Sequence, residues 1–229
     1  MKKEIDNIFV DVRNAFRLLN RYQKRVLHIV TYIREQTPFT DMWGARDWYF
    51  DEIGNRRDSP DKTYAKLKVS KDTPGWDFLY GYMFEYYFGL AKIGTKKVEM
   101  SILQVSDDGY FISEQAKKQL YNISSFEPSE SSHSYLMFNI AIYTSKMCKH
   151  WFKDPSCPSD NCIDFLTKFL SSQSDIKVFK HDDGEIEISK KYEMQRFATQ
   201  HDADDVIRNF GKIIKEQSGI ELFKSNFYE

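Results

Sequence analysis

The 229-residue sequence predicts an α+β fold, with a mostly antiparallel sheet packed against a long N-terminal helix and two further helices. Three observations lead there. The chain opens on a helix-period apolar seam, several later stretches alternate strictly between apolar and polar residues around Gly-containing turns, and the regular strand–helix–strand alternation of a doubly wound parallel sheet is missing. The prediction is a single α+β domain over residues 1–229.

The helix comes first. Ile5, Phe9, Val12, Phe16, Leu19, Val26, Val30 and Ile33 follow alternating spacings of four and three, and Gln23 is the polar residue within that register. Ile8, Ala15, Tyr22 and Ile29 widen the stripe. Neither Pro nor Gly precedes Pro38, so a helix over about residues 4–36 is expected, roughly 50 Å long at 1.5 Å per residue. A domain of this size is about 45 Å across. The helix therefore spans the body or projects from it, and it offers a surface to another helix.

Residues 37–75 carry Pro38, Gly44, Gly54, Asn55, Pro60, Pro74 and Gly75 and read as an irregular connection with one short strand at Trp48–Ile53. From Trp76 to Phe88 every second residue is aromatic: Trp76, Phe78, Tyr80, Tyr82, Phe84, Tyr86 and Phe88. A period of two places these rings on one face of a strand, with Asp77 and Glu85 on the other and Gly81 as the natural bulge. Val98, Met100 and Ile102 alternate in a second strand that ends at Asp107-Asp108-Gly109, a turn signature for positive φ leading into Tyr110–Ile112. A third strand lies within His133–Ser145, where Leu136, Phe138, Ile140 and Ile142 share a face. A helix over about 160–172 follows, with Asp160 as its cap. Asp175–Lys180 and Glu185–Lys190 then flank Asp182-Asp183-Gly184 as the clearest hairpin, and a last helix after Asp202 puts Val206, Phe210, Ile213 and Ile214 on one side.

Composition narrows the function. Aromatics at 16% argue for an ordered core, and a formal charge of −1 provides no global field toward nucleic acid or an anionic membrane. No stretch approaches 18 apolar residues, and Glu4 and Asp6 interrupt the start, so neither a membrane span nor a signal peptide is expected. Three cysteines are too few for a disulfide scaffold and fit a reducing cytoplasm.

Four constellations could carry chemistry. Cys148, His150, Cys157 and Cys162 supply four zinc-type ligands, but no C-x2-C pair is among them, which favours small residues that merely cluster. Glu85 and Glu99 could share a magnesium ion if the hairpin aligned them; otherwise they face solvent from the wet side of the sheet. The ring face of Trp76–Phe88 is either a stacking platform for bases or sugars or, as the wide helix stripe favours, the core beneath that helix. Lys146, Lys149, His150 and Lys153 interleave with Trp151 and Phe152, and Arg13, Arg17, Arg21, Lys24 and Arg25 form a basic row on the helix, which reads first as its solvated face. His28, His133, His181 and His201 show no metal-binding spacing, and the phosphate-loop, dinucleotide, nucleophile-elbow and zinc-protease signatures are absent.

The expectation is a cytoplasmic, non-catalytic interaction subunit without a cofactor. It would self-associate or join a multi-protein assembly through Phe9, Val12, Phe16, Leu19, Gln23, Val26 and Val30, with Gln23 fixing register. The competing expectation is a metal-dependent enzyme acting on nucleic acid.

Overall fold

The computed structural model describes residues 2–45, 67–68, 83–113, 123–145 and 162–228. Within them, α1 (Lys2–Glu35) is followed by β1 (Trp43–Ala45), β2 (Leu67–Lys68), β3 (Met83–Ile93), β4 (Lys96–Val105), the single turn α2 (Gly109–Ile112), β5 (Tyr135–Tyr143), α3 (Cys162–Leu170), β6 (Ile176–Lys180), β7 (Ile186–Glu193) and α4 (Gln200–Ser218). The strands form one sheet in the order β2-β1-β3-β4-β5-β7-β6, and every pairing is antiparallel. The architecture is α+β, as the alternation predicts.

Both faces of the sheet are packed. Phe84, Tyr86 and Phe88 of β3, Val98, Met100 and Ile102 of β4, and Leu136, Phe138, Ile140 and Ile142 of β5 point to one side. There they meet Val26, Leu27, Val30 and Ile33 of α1 and Val206, Ile207, Phe210 and Ile214 of α4. Phe138 anchors this layer, with its ring 5.2 Å from Tyr192 and 5.3 Å from Phe210, centroid to centroid, in edge-on contacts. The intervening residues, Leu103, Val105, Met137 and Ala141 among them, face the other way and pack with Phe165, Leu166, Phe169 and Leu170 of α3.

The three described rings of the aromatic alternation are thus core beneath α1; Trp76, Phe78, Tyr80 and Tyr82 lie outside the described residues. The bulge on β3 falls between Tyr87 and Gly89, and Gly89 adopts φ +95°, a conformation that a side chain would strain. Gly81, the expected bulge, is outside the described residues, as is the strand expected at Trp48–Ile53. Among the described residues, the connection after α1 contributes the short strands β1 and β2.

Asp107-Asp108-Gly109 starts a helical turn rather than a strand, and Gly109 is not among the positive-φ glycines. Its glycine is required by crowding, since a Cβ there would lie 2.5 Å from Ser132 Oγ. The β6–β7 hairpin forms as expected around Gly184, at φ +82°. Helix α4 begins three residues before its predicted start after Asp202: Gln200 opens it, Thr199 is the N-cap, and Asp202 completes the reciprocal capping box.

Candidate functional site

Helix α1 is one continuous element with two environments. At 100° per residue, Ile8, Phe9, Val12, Phe16 and Leu19 fall on the same side as Gln23, Val26, Val30 and Ile33, so a single stripe runs along it. What covers the stripe changes near residue 22. Phe9, Val12, Phe16 and Leu19 are 56%, 45%, 58% and 47% exposed, whereas Gln23, Val26 and Val30 are 4%, 0% and 0% exposed. Ile8, Val10 and Leu18 are exposed as well. The first half stands off the body as an apolar arm, and the second half is core.

This division corrects the expected partner-binding set. Val26 and Val30 are consumed by the sheet of their own chain. Gln23 sits in a closed polar network instead of marking register toward a partner. Its Nε2 donates to the Tyr86 hydroxyl at 2.9 Å and to Gln104 Oε1 at 3.1 Å, while Gln104 Nε2 donates back to Gln23 Oε1 at 3.0 Å. The Tyr86 hydroxyl donates in turn to Gln104 Oε1 at 2.9 Å. A polar residue in an apolar seam needs partners when buried, and here β3 and β4 supply them. Replacing Gln23→Leu leaves Tyr86 and Gln104 short of partners, and thermal denaturation should show a loss of about 1–3 kcal/mol.

Where the arm leaves the body, a groove of about 370 Å³ opens between Tyr22, Val26 and Ile29 of α1 and Met194 and Phe197 beyond β7. Arg25 closes one side by donating from Nη2 to the carbonyls of Phe197 and Ala198, both at 2.9 Å. Of the basic row, Arg25 therefore braces the helix against the body, while Arg13, Arg17 and Arg21 are exposed, Arg13 flanking the seam and Arg17 and Arg21 turned away from it.

The acidic pair expected on the reverse face is not a pair. Glu85 is opposite Leu103, and Glu99 lies four positions along β4 from Leu103, so the two are roughly 14 Å apart along the sheet and cannot share one ion. Nor do they face solvent: both are buried, because the second face is packed as well. Glu99 accepts from the hydroxyls of Tyr87, at 2.9 Å, and Tyr143.

Sequence reasoning missed that Glu99 belongs to a buried polar band. Ser101, Asn139 and Ser189 are successive register partners across β4, β5 and β7, and Glu99 and Glu187 are both partners of Ala141. His181 Nε2 lies 3.8 Å from Glu187, and this neighbouring carboxylate is the main cause that raises the imidazole pKa above its ordinary value, with burial opposing it. The available signal was Asn139, set in the middle of the apolar run Tyr135–Tyr143. Among the described residues, no group of three His, Cys, Asp or Glu side chains is placed to hold a metal ion. Cys148, His150 and Cys157, like the Lys146–Lys153 basic stretch, lie outside the described residues, and Cys162 opens α3.

Fold and site together define an α+β protein whose sheet is packed on both faces and whose N-terminal helix is half core and half projecting apolar arm. Its lineage follows from the sequence: the chain belongs to the PM0109 family, whose model matches residues 2–219. No curated protein and no solved structure matches it. Among the described residues, no helix is long and apolar enough to cross a membrane.

Proposed function

We propose that this chain is a non-catalytic interaction subunit that associates, with itself or within a larger protein assembly, through the projecting half of α1. One observation carries the reading: an apolar stripe at core density continues past the edge of the body with Phe9, Val12, Phe16 and Leu19 about half exposed. Contiguous apolar surface of this kind on a soluble fold marks an interaction site. The arm is already ordered, because its continuation from Gln23 to Ile33 is anchored in the core, so association does not bear the cost of nucleating a helix. The exposed Arg13 beside the seam, with Arg17 and Arg21 turned away from it, keeps the arm hydrated and out of nonspecific apolar contacts. The three cysteines are consistent with a reducing cytoplasm as the place of work.

The test is solution mass by light scattering across a concentration series, alone and after co-expression with native neighbours. The double variant Val12→Asp, Phe16→Asp is expected to lose self-association or partner recovery while its melting temperature stays within about 3 °C of the parent, since both side chains are exposed. An unaltered mass together with unaltered partner recovery in that variant would sink the proposal.

A further inference from the structure

We propose that the reverse face of the sheet holds a hard divalent cation of the Mg²⁺ class, bound between Glu99 and Glu187 with Asn139 as a neutral ligand. The site lies on the face away from α1, and it stands or falls separately from the association reading of that helix.

Strand register assembles it. Glu99 of β4 and Glu187 of β7 both pair with Ala141 of β5, one from each side. Their Cα atoms are therefore two strand spacings apart, about 10 Å, with only a methyl group between them. Two residues along the strands, Ser101, Asn139 and Ser189 form a second row across the same three strands. Alternation puts the side chains of both rows on one face, and all six residues are at most 1% exposed.

The second row carries the observation that points to a ligand. Among the described residues, Ser101 Oγ, Asn139 Oδ1 and Ser189 Oγ are buried without a hydrogen-bond partner. Asn139 Nδ2 donates to the Met137 carbonyl at 3.5 Å, so the acceptor end of the amide is the orphan. Native folds leave few such atoms unmatched. Three in one row, beside two buried carboxylates, mark the place of a polar guest.

The donor set selects that guest. Two carboxylates and an amide oxygen are hard ligands, and two negative charges match one divalent cation. An ion seated over the gap between Asn139 and Ala141 meets both glutamates and Asn139 Oδ1. The serine side chains start about 5 Å to either side and are too short to reach it. They hold its waters instead, which suits Mg²⁺, an ion that sheds water reluctantly. Outer contacts orient both acidic ligands: Glu99 accepts from the hydroxyls of Tyr87 and Tyr143, and the His181 ring lies 3.8 Å from Glu187. Lys97, Lys177 and Lys191 share this face but reach other groups. Lys97 donates to the Ser145 carbonyl, Lys177 lies over the Phe165 and Phe169 rings, and Lys191 donates to the carbonyls at the end of α3.

The test is metal analysis of the purified chain before and after dialysis against EDTA, followed by calorimetric titration with Mg²⁺ alone and Mn²⁺ alone. About one ion per chain is expected, with a higher melting temperature in Mn²⁺ than in EDTA. Glu187→Gln, which keeps the shape of the side chain, should abolish binding at millimolar metal. The double variant Ser101→Ala, Ser189→Ala should bind about 10- to 100-fold more weakly. In EDTA it should melt no lower than the parent, because it removes two unmatched hydroxyls and nothing that the fold uses. A purely structural role for the serines would not move affinity and stability apart in this way. A chain that is metal-free as purified and takes up neither ion holds only water in the row, which overturns the inference. Uptake that survives both in Glu187→Gln and in the serine double variant places the ion elsewhere and overturns it as well.

Discussion

Val30→Asp is expected to unfold this protein, or to lower its melting temperature by about 15 °C or more, while Val12→Asp leaves it nearly unchanged. The two positions are eighteen residues apart, five full turns of an α-helix, so they occupy the same angular position on α1. Residue type, helix face and substitution are identical, and only the surroundings differ. Val30 is fully buried over the sheet, and Val12 is 45% exposed. A carboxylate at position 30 must either stay charged without a partner in the apolar layer or take up a proton, which at a shift of 3–5 pKa units costs about 4–7 kcal/mol. Loss of the valine adds about 1.5–3 kcal/mol. Together these rival the entire stability of a typical domain, about 5–15 kcal/mol. At position 12 the carboxylate remains in water. Circular dichroism melts of the two variants under conditions that keep the parent monomeric measure the contrast. Equal melting points would mean that the helix is not divided as described.

That contrast also shows how far the sequence could be read. The periodicity of α1 was legible because a helix repeats its faces every 3.6 residues whatever lies over them. For the same reason periodicity could not say where docking stops: Leu19 and Gln23 sit on adjacent turns of one stripe, yet Leu19 is about half exposed and Gln23 is buried. Strand alternation was equally legible in Leu136, Phe138, Ile140 and Ile142, which reach the core as expected. It misled at Glu85 and Glu99. Alternation separates two faces without revealing that both are covered, and a guess that the pair was aligned could not anticipate a register set in part by the bulge before Gly89. The Asp108-Gly109 pair misled in another way: the expected positive φ was an inference from residue type, whereas the actual constraint is the approach of Ser132 to Gly109, 23 residues on in sequence. Contacts between distant segments are what a single sequence displays least. The Gln23–Tyr86–Gln104 network, which fixes where α1 lands, is of that kind.

The same network sets the protein's behaviour at high pH, where stability is expected to fall steeply above about pH 10. Burial drives the Tyr86 hydroxyl far above its ordinary pKa, although the hydrogen bond from Gln23 works against this. Burial likewise raises Tyr192, and it pushes Tyr135 up to about 12. The sign is set by comparing the two states. Below about pH 10 these phenols are protonated whether the chain is folded or not, so their contribution is complete. Above it the unfolded chain releases the protons while the folded chain must keep them, and stability drops by roughly 1.4 kcal/mol per pH unit for each proton retained. Tyr86 and Tyr192, both deeply buried, supply most of that slope; Tyr135 adds to it only until the pH reaches about 12. Lys191 opposes them in part. Burial lowers its pKa, so the folded chain releases that proton before the unfolded one does, and stability gains between the lowered value and about 10.5. Urea unfolding from about pH 8 to about pH 11 should trace a net decline. Tyr86→Phe should shallow it by close to one proton, at the expense of the hydrogen bond to Gln104. A flat profile would mean that these hydroxyls reach solvent, and with Tyr86 open the docked half of α1 could not lie where the Gln23 network places it.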